Sequence, residues 1–467
     1  MGAWFGTDGI RGRAGQAPLV PAFLRRLGRA LGEQAGAGGA PGAGPLVLVA
    51  RDTRESGPGI SADLEHGLAA AGARVLDLGV VPTPGLPLAM RDRGAALGIV
   101  VSASHNPWED NGVKVFGPGG TKLLDEVEAA VERRVAALGG VEPDGEAATG
   151  AHARDAEAID GAADYVADMT KRFTGLDLSG LALVADCAHG AATATAPPVL
   201  RALGARLTVT ADAPDGRNIN AGCGSTHLGH VAEVVQAAGA DLGLAFDGDA
   251  DRVLMVDAAG RECTGDHMLA LLGPALDQAG ALSGRTVVAT VMSNLGLERV
   301  LAGAGLTLLR TPVGDRHVLA AMREGGFALG GEASGHLLFH ETPPGPRLGG
   351  HTAFLGDGLY TALRVLEVLT ATGRDLAAVI DAVPAVPQVL LNVKVAARPP
   401  LDSLPAVTAA VAEAEARHGR DVRIVLRYSG TENLARVMVE GTDAGVVDRL
   451  SRDLARLWEQ AIAGAAP

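Results

Sequence analysis

The segment DGDADR, with three aspartates at alternate positions, is the strongest indication of a metal-binding or catalytic site in the sequence. Asp247, Asp249 and Asp251 follow the apolar run LGLAF without a break. In an extended segment alternate side chains point to one side, so the carboxylates would form a cluster of hard oxygen ligands suited to Mg²⁺. Three like charges so close raise one another's pKa unless a cation neutralises them, and Arg252 alone is too little. An acidic surface turn is the alternative, whereas an EF-hand is excluded because its downstream bidentate Glu is missing.

The segment SASHNP is the second candidate, and it also follows an apolar run. A serine presented on such a turn can act as a nucleophile or carry a phosphoryl group, which makes Ser104 the residue of interest. The alternative is a Ser/Asn/Pro turn that only caps a helix. If two neighbouring domains place Ser104 and the three aspartates at one cleft, a phosphoserine charge of about −2 gains a metal counter-ion. This combination favours the reactive serine over the simple turn.

Two further polar segments could bind a ligand. In GGEASGH, Glu332, Ser334 and His336 stand at alternate positions and suit hydrogen bonds to sugar hydroxyls or an amine, although a polar glycine-rich turn is ordinary. The segment RYSGTENLAR could form a nest of backbone N–H groups and arginines for a phosphate dianion, or a β-hairpin turn with solvated arginines. Its candidate ligands are Arg427, Ser429, Gly430, Thr431 and Arg436.

A strand–helix–strand unit occurs three times along the chain and would position the first three segments. The copies start at residues 46–50, 181–190 and 286–294, and each continues through a helical stretch with a glycine stop into a second apolar run. A further apolar run follows in each copy and ends at SASHNP, DGDADR or GGEASGH. Such continuous runs suit parallel strands that are covered on both faces. Because open α/β sheets bind ligands at the C-terminal ends of their strands, three domains would aim one loop each at a shared cleft.

From about Asp375 the sequence changes character. The runs VPQVLLNVKV, VRIVLRY and LARVMVEG are typical of strands, and the short turn between the last two indicates an antiparallel sheet with helices at 405–418 and from 443. The predicted fold class is therefore α/β: three similar βαβ-based domains with mixed sheets plus a smaller α+β C-terminal domain around a central cleft. The predicted domains are residues 1–150, 151–252, 253–373 and 374–467.

Length and composition limit the functional classes. A chain of 467 residues is long enough for about three domains. Its 40 basic and 54 acidic residues give a net charge of −14, which argues against nucleic-acid and anionic-membrane partners. Cys187, Cys223 and Cys263 lack zinc-ligand spacing and are predicted to be free thiols. Because no apolar stretch reaches the ~18 residues of a membrane span and the N-terminus lacks a signal region, we expect a soluble, cytoplasmic protein.

Five segments together resemble, in order and spacing, the signature loops of the α-D-phosphohexomutases. They are FGTDGIRG, SASHNPWEDNGVKVF, DGDADR, GGEASGH and SGTE, and the resemblance covers essentially the whole chain. Within that superfamily, INAGCGSTH, MSNLGLE and VGDRHV are similar to the phosphoglucosamine mutase branch rather than to the phosphomannomutase/phosphoglucomutase branch. The family fold, four domains around a central cleft, agrees with the organisation inferred from the repeats.

The resemblance implies a role for each candidate residue. Ser104 would be the phosphorylated serine, and the three aspartates would hold Mg²⁺ together with it. The family's sugar-hydroxyl loop corresponds to Glu332, Ser334 and His336, and its phosphate-binding loop to Arg427, Ser429, Gly430, Thr431 and Arg436. Catalytic basic residues near the reacting phosphoryl group correspond to Arg11, His105 and Lys114.

The implied activity is the interconversion of glucosamine 6-phosphate and glucosamine 1-phosphate, which feeds UDP-N-acetylglucosamine synthesis. It would use Mg²⁺, with a bound glucosamine 1,6-bisphosphate as the intermediate or glucose 1,6-bisphosphate as activator. The small-molecule partner would be an amino-sugar phosphate. The expected assembly is a homodimer. The alternatives are a phosphomannomutase/phosphoglucomutase, a non-catalytic sugar-phosphate sensor and a Mg²⁺-dependent phosphatase.

Three positions depart from the family pattern. Ala250 replaces a common Gly, Asn433 replaces a usual Pro, and the stretch 340–355 is longer than is typical. The last departure bears on substrate preference, since this stretch follows the sugar-hydroxyl loop.

Overall fold

The structure, a computed structural model, contains four β-sheets, each with its own helices, arranged one after another along the chain. It describes residues 4–6, 8–36, 44–141, 156–341, 353–395, 397–429 and 434–464. Three sheets are mixed and the fourth is antiparallel, which confirms the predicted fold class.

The first sheet has the strand order β1-β5-β4-β2-β3-β7, with β6 paired to β5. Strands β4, β2, β3 and β7 run parallel, and β5 pairs antiparallel with β4, β1 and β6. In chain order the elements are β1 (Ile10–Arg13), α1 (Pro21–Gly36), β2 (Leu46–Arg51), α2 (Gly57–Ala70), β3 (Arg74–Val80), α3 (Gly85–Arg93), β4 (Leu97–Val101), β5 (Asp110–Gly117), β6 (Thr121–Lys122), α4 (Asp125–Ala137) and β7 (Glu157–Ala158).

The second sheet has the order β12-β11-β10-β8-β9, in which β10, β8 and β9 are parallel and β11 and β12 are antiparallel additions. Its elements are α5 (Gly161–Arg172), β8 (Ala182–Asp186), α6 (Ala196–Ala202), β9 (Arg206–Thr210), α7 (Leu228–Ala238), β10 (Leu242–Phe246), β11 (Val253–Asp257) and β12 (Glu262–Cys263).

The third sheet repeats this plan in the order β14-β13-β15-β16-β17. Strands β14, β13 and β15 are parallel, and β16 and β17 are antiparallel. Its elements are α8 (Gly265–Gln278), β13 (Thr286–Thr290), α9 (Leu295–Gly303), β14 (Thr307–Thr311), α10 (Asp315–Gly325), β15 (Leu329–Gly331), β16 (Leu337–Glu341), β17 (Ala353–Gly356), α11 (Gly358–Thr372) and α12 (Leu376–Ala382).

The fourth sheet is the antiparallel sheet β18-β20-β19, covered by two helices around the fully buried Trp458. Its elements are β18 (Gln388–Lys394), α13 (Pro405–His418), β19 (Val422–Tyr428), β20 (Leu434–Gly441) and α14 (Ala444–Gly464). The helix predicted for residues 405–418 is thus present with those bounds.

The three polar segments occupy equivalent places in the three mixed sheets. Each is the connection from a parallel strand to the antiparallel strand beside it: β4 to β5, β10 to β11, and β15 to β16. The parallel strands β4 and β10 are buried at every residue, as their continuous apolar sequence predicts. The segments therefore follow the C-terminal ends of their strands, as the sequence predicted.

Sheet membership bears on two of the predicted domain boundaries. Strand β11 pairs with β10, and β12 pairs with β11, so we propose that the second domain extends to Cys263 rather than to residue 252. Helix α12 contacts α8, and its Val379 belongs to the core that the first three domains share. We therefore propose that the C-terminal domain begins at β18 rather than at residue 374. The predicted boundary at residue 150 lies outside the described residues.

The three cysteines are buried and free, as predicted. Among the helices that the structure describes, none combines the length and the apolar character that a bilayer span requires.

Candidate active site

Ser104 lies on the connection from β4 to β5, which we call the serine loop (residues 102–107), and it has a left-handed backbone with φ 52°. Such a conformation costs about 1–3 kcal/mol for a residue with a side chain, so the surroundings must impose it. The Ser104 amide donates to Ser102 Oγ at 2.9 Å, and Ser102 Oγ donates to Asp52 Oδ2 at 2.7 Å. The loop is therefore fastened to the end of β2 on its inner side.

The fully buried Arg54 connects the same loop to Asp52 and Asp110 and uses all of its side-chain donors to do so. Its Nε donates to Asp52 Oδ2 at 2.8 Å, and its Nη2 donates to the carbonyl oxygens of Ser104 and Asn106 at 2.8 and 2.9 Å. Its Nη1 donates to the carbonyl oxygens of Asp110, at 2.9 Å, and of Pro107. A guanidinium has five N–H groups, and here each has an acceptor. The loop is thus built around one buried cation.

The second loop, the aspartate loop (residues 247–252), brings its three carboxylates within 4.8 Å of one another, as their alternate spacing predicts. The loop turns at Ala250, which has φ 55°. This is the position where the family resemblance led us to expect glycine, and the backbone conformation explains that expectation because glycine adopts positive φ without a Cβ penalty.

The serine loop and the aspartate loop contact each other directly. Ser104 Oγ donates to Asp247 Oδ2 at 2.6 Å, and Asn220 Nδ2 donates to the Ser104 carbonyl at 3.0 Å. Gly248 permits this approach, because a Cβ at that position would lie 2.7 Å from the Ser104 carbonyl oxygen. A buried hydroxyl is therefore in direct contact with the carboxylate cluster, although the two belong to different domains.

Burial and mutual repulsion set the charge state of the aspartates. Burial, followed by the charges of Asp251 and Asp249, raises the pKa of Asp247 well above its usual value. Burial also acts against the charged form of Asp251, yet the charges of Lys114 and His336 hold its pKa well below the usual value. Asp249 Oδ1 is buried without a hydrogen-bond partner among the described residues. An orphaned carboxylate oxygen beside two further carboxylates fits a hard divalent cation.

Three basic residues predicted to be catalytic surround this point. Lys114 Nζ donates to Asp249 Oδ2 at 2.8 Å, and although burial opposes its charge, Asp249, Asp8 and Asp251 raise its pKa above the usual value. Arg11 Nη2 donates to Asp8 Oδ2 at 2.6 Å. His105 Nδ1 is 3.4 Å from Ser104 Oγ, and burial, followed by the charge of Arg252, lowers the pKa of His105 to about 4. Lys114 is thus a fixed cation and His105 a neutral imidazole near pH 7.

The third loop (residues 332–336), which we call the glutamate–histidine loop, faces the aspartates. His336 Nδ1 lies 3.6 Å from Asp251 Oδ1; although burial opposes its charge, Asp251 raises the pKa of His336 to about 9. Glu332 Oε1 accepts from the Gly314 amide at 3.1 Å. Ser334 Oγ is buried and has no hydrogen-bond partner among the described residues.

A cavity of about 500 Å³ extends from these groups between the first and third domains. Its polar wall includes Asp8, Lys114, Lys122, Asp251, Asp315 and His336. This volume is within the range of small-molecule sites. The sequence predicted that the three loops meet. In the structure they do so through the contacts of Ser104 with Asp247 and of Asp251 with His336, and Asp251 and His336 line the cavity.

The predicted phosphate-binding turn lies in the C-terminal domain. Arg427 on β19 and Arg436 on β20 are directly opposite in the sheet, and burial together with the Arg436 charge lowers the pKa of Arg427. Like charges in opposite positions repel each other, so an anion between them would stabilise the pair. The Ser429 amide donates to the Leu434 carbonyl at 2.8 Å. Neither arginine lines the cavity above, and Gly430, Thr431, Asn433 and residues 342–352 lie outside the described residues.

Several residues of the site were missed in the sequence. Asp8 and Asp315 lie in FGTDGIRG and VGDRHV, two segments that carry the family resemblance. The sequence therefore indicated the segments but not these two aspartates. Thr83, whose Oγ1 donates to Asp249 Oδ2 at 2.5 Å, and Arg54 had no such signal. A fully buried arginine contradicts the general preference of arginine for the surface, so only the structure shows it.

Comparison with protein families gives four matches in sequence order. Residues 2–139, 163–260 and 264–386 match the models for the phosphoglucomutase/phosphomannomutase alpha/beta/alpha domains I, II and III. Residues 390–457 match the model for the C-terminal domain of the same family. The match to domain II ends at residue 260, after β11 and before β12, and the match to the C-terminal domain starts at residue 390, within β18.

Curated relatives are similar over nearly the full length. A phosphoglucosamine mutase of Nocardia farcinica is 45% identical over 468 residues, covering 98% of this chain and 99% of the relative. A phosphoglucosamine mutase of Deinococcus radiodurans is 44% identical over 463 residues, with 98% of each chain covered.

Solved structures share the fold. A phosphoglucomutase/phosphomannomutase family protein from Burkholderia thailandensis superposes with a TM-score of 0.76 at 28% identity, covering 99% of this chain and 98% of that one. An Aspergillus fumigatus N-acetylphosphoglucosamine mutase, solved with GlcNAc-6P and magnesium, gives a TM-score of 0.60 at 19% identity, with 98% and 96% covered. The site geometry, the four domain matches and the full-length relatives lead to one conclusion: the chain belongs to the phosphoglucomutase/phosphomannomutase family of phosphohexomutases, and within it to the phosphoglucosamine mutases.

Proposed function

We propose that the protein interconverts glucosamine 6-phosphate and glucosamine 1-phosphate, with Ser104 as the phosphoryl carrier. The observation that supports this most directly is the 2.6 Å hydrogen bond from Ser104 Oγ to Asp247, which places a buried hydroxyl against a carboxylate cluster. A phosphoserine carries a charge of about −2. A cation bound by the three carboxylates would neutralise this charge. The choice of amino sugar rests on the relatives, which are named phosphoglucosamine mutases.

The proposed reaction consists of two phosphoryl transfers of opposite direction. In the first, the bond from phosphorus to Ser104 Oγ breaks and Oγ takes up a proton, while a bond from phosphorus to the free sugar hydroxyl oxygen forms and that hydroxyl gives its proton to a base of the site. The product is a sugar 1,6-bisphosphate, which reorients in the cleft. In the second, the other phosphoryl group is transferred to Ser104 Oγ, which gives up its proton, and the sugar oxygen that it leaves takes up a proton.

Asp247, Asp249 and Asp251 would hold Mg²⁺ together with the phosphoserine. When bound there, Mg²⁺ neutralises charge on the transferring phosphoryl group. Lys114 adds a second positive charge on the same side, since its ammonium is held in place by Asp249. His105 is neutral near pH 7 and lies 3.4 Å from Ser104 Oγ, so its imidazole can accept or pass on a proton there.

The remaining loops would bind the two ends of the substrate. Glu332, Ser334 and His336 present a carboxylate, a hydroxyl and an imidazolium to the ring. The C-terminal turn with Arg427 and Arg436 would bind the phosphate that is not reacting. A site built from arginines and backbone amides recognises phosphate rather than the ring, so it tolerates both orientations of the sugar.

A coupled assay tests the substrate. Glucosamine 1-phosphate formed from glucosamine 6-phosphate is measured with Mg²⁺ and a trace of glucose 1,6-bisphosphate, beside parallel assays on glucose 1-phosphate and mannose 1-phosphate. We expect fast turnover of the amino sugar and slow turnover of the neutral sugars. A preference for glucose or mannose phosphates would assign the protein to the other branch, release of free phosphate would indicate a phosphatase, and no turnover by phosphorylated protein would indicate a sensor. The bisphosphate activator, the cytoplasmic location and the homodimer stay predictions.

A further inference from the structure

Lys122 forms a bridge between two domains at the wall of the cavity. Its ammonium lies 2.8 Å from Asp8 Oδ1 of the first domain and 2.8 Å from Asp315 Oδ2, at the start of α10 in the third domain. The side chains of all three residues are 29% exposed, so the bridge faces the cleft rather than bulk solvent. Neither the family resemblance nor the reaction above gives Lys122 or Asp315 a role.

Each end of this bridge continues into groups of the reaction site. On one side Asp8 Oδ2 is 3.4 Å from Lys114 Nζ, and Lys114 Nζ is 3.5 Å from Asp251 Oδ2. On the other side Asp315 Oδ2 is 4.0 Å from His336 Nε2, and His336 Nδ1 is 3.6 Å from Asp251 Oδ1. The six groups thus form a closed ring of alternating charges, which passes through the first three domains.

The geometry points to Lys122 as a positioning residue for the proposed phosphoryl transfer: by bridging Asp8 and Asp315, it fixes the distance between the glutamate–histidine loop and the loops that carry Ser104 and the three aspartates. This inference deepens the proposed function and rests on it. The substrate class it concerns is the phosphorylated sugar, whose ring and reacting phosphoryl group must be held by different domains at once.

The neighbours of His336 explain why this bridge controls its position. His336 lies between two carboxylates, Asp251 at 3.6 Å and Asp315 at 4.0 Å. Lys122 neutralises Asp315, and the side chain of His336 lies closer to Asp251 than to Asp315. Without Lys122, the uncompensated Asp315 would draw His336 away from the aspartate loop, and Asp8 would draw Lys114 away from Asp249. One deletion therefore displaces groups in two loops. The carboxylates also raise the pKa of Lys122 although burial opposes its charge, so the bridge stays ionised near neutral pH.

The test compares Lys122→Met, Asp315→Asn, the double variant, Lys122→Arg and the control Lys171→Met. Lys171 is an exposed lysine on α5 and is not among the residues that line the cavity. The first readout is hydrogen exchange of the backbone amides of residues 332–336 in the full-length protein without substrate. The second is kcat and KM for glucosamine 6-phosphate. Exchange needs no turnover, so it remains informative whatever the sugar preference is.

We expect faster exchange in the glutamate–histidine loop for Lys122→Met and Asp315→Asn, and no change for Lys171→Met. We expect kcat to fall about 10- to 100-fold in each single variant, because a displacement near 1 Å between reacting groups has an effect of this size. KM should change less, since no substrate contact is assigned to the bridge. The double variant should lose no more than the worse single variant, because both remove one interaction. Lys122→Arg should recover most of the turnover, since arginine can also span two carboxylates.

Unchanged exchange in either single variant would overturn the inference. Additive losses of kcat in the double variant would overturn it too, because they would show that Lys122 acts on substrate independently of Asp315. If wild-type protein turned over no amino-sugar phosphate but the two variants still loosened the loop equally, the proposed substrate would fail while the bridge stood.

Discussion

Replacing Arg54 by lysine tests whether the serine loop is held by the number of donors rather than by charge. Arg54 uses five N–H groups on five acceptors, and a lysine in the same place keeps the charge but offers three. At least two acceptors would then lose their donor. Each buried acceptor left unpaired costs about 1–3 kcal/mol. Because the Ser104 and Asn106 carbonyls also accept from Asn220, at 3.0 and 3.2 Å, we expect a total near the lower end, about 2–4 kcal/mol.

The functional effect of Arg54→Lys should exceed its effect on stability. Ser104 is held at φ 52°, and a loosened loop would relax toward an unstrained backbone and move its Oγ away from Asp247. A displacement of about 1 Å corresponds to a loss of roughly 100-fold in turnover. The assay pairs steady-state turnover with the free energy of unfolding from urea denaturation, followed by tryptophan fluorescence. Arg29→Lys, an exposed α1 residue paired with Glu33 at 3.1 Å, is the control and should change stability by less than about 0.5 kcal/mol.

The outcome that refutes this reasoning is an Arg54→Lys protein with wild-type turnover. It would show that positive charge alone organises the loop. A loss of stability with full activity would separate the two functions of Arg54 and would show that the position of Ser104 does not depend on the carbonyl contacts.

Four further predictions follow from the same geometry. Ser104→Ala should abolish turnover and leave calorimetric binding of glucosamine 6-phosphate intact, so lost binding would contradict a pure carrier role. Chelation should stop the reaction, and added Mg²⁺ should raise the melting temperature of wild-type protein but not of Asp249→Ala, since a bound ligand stabilises the native state; equal shifts would place the ion elsewhere. Arg427→Ala should raise KM for the sugar phosphate, because one half of the arginine pair is removed, and unchanged constants would exclude its role. Burial raises the pKa of Asp357 to about 6 in the folded protein. Its protonated carboxyl therefore contributes fully to the free energy of unfolding below about pH 4, and this contribution is lost as the pH rises through 6. Melting curves from pH 4 to 8 should show the wild type losing up to about 3 kcal/mol of stability relative to Asp357→Asn, and parallel curves would contradict this.

The repeated unit could be predicted because its signal is local. Strand β10 and the aspartates after it are one continuous segment, so the apolar run and the alternate carboxylates indicate both the strand and the cluster. The same holds for helix α13, which begins at Pro405 and ends before Gly419. In these elements the residues that determine the structure are neighbours in the sequence.

Contacts between domains could not be predicted, because they depend on how finished domains pack. Nothing near Lys122 in the sequence indicates Asp315, and the two residues are 193 positions apart. The burial of Arg54 depends on a contact within the first domain that is also distant in sequence, because the β4–β5 connection folds over the end of β2. The domain limit that we propose after β12 depends on strand pairing in the same way, because β11 pairs with β10 and β12 pairs with β11 only in the folded sheet.

The hydrogen bond between Ser104 and Asp247 joins residues that are 143 positions apart, and this separation has a consequence for synthesis on the ribosome. At about 5–20 residues per second, the carboxylates emerge roughly 7–30 s after the serine. Throughout that interval the nascent chain would contain the proposed phosphoryl carrier without the carboxylates that contact it. On the proposed function, reactivity would therefore arise late in biogenesis, when the second domain docks on the first. A chain released early in translation would then be unreactive rather than a source of uncontrolled phosphate transfer.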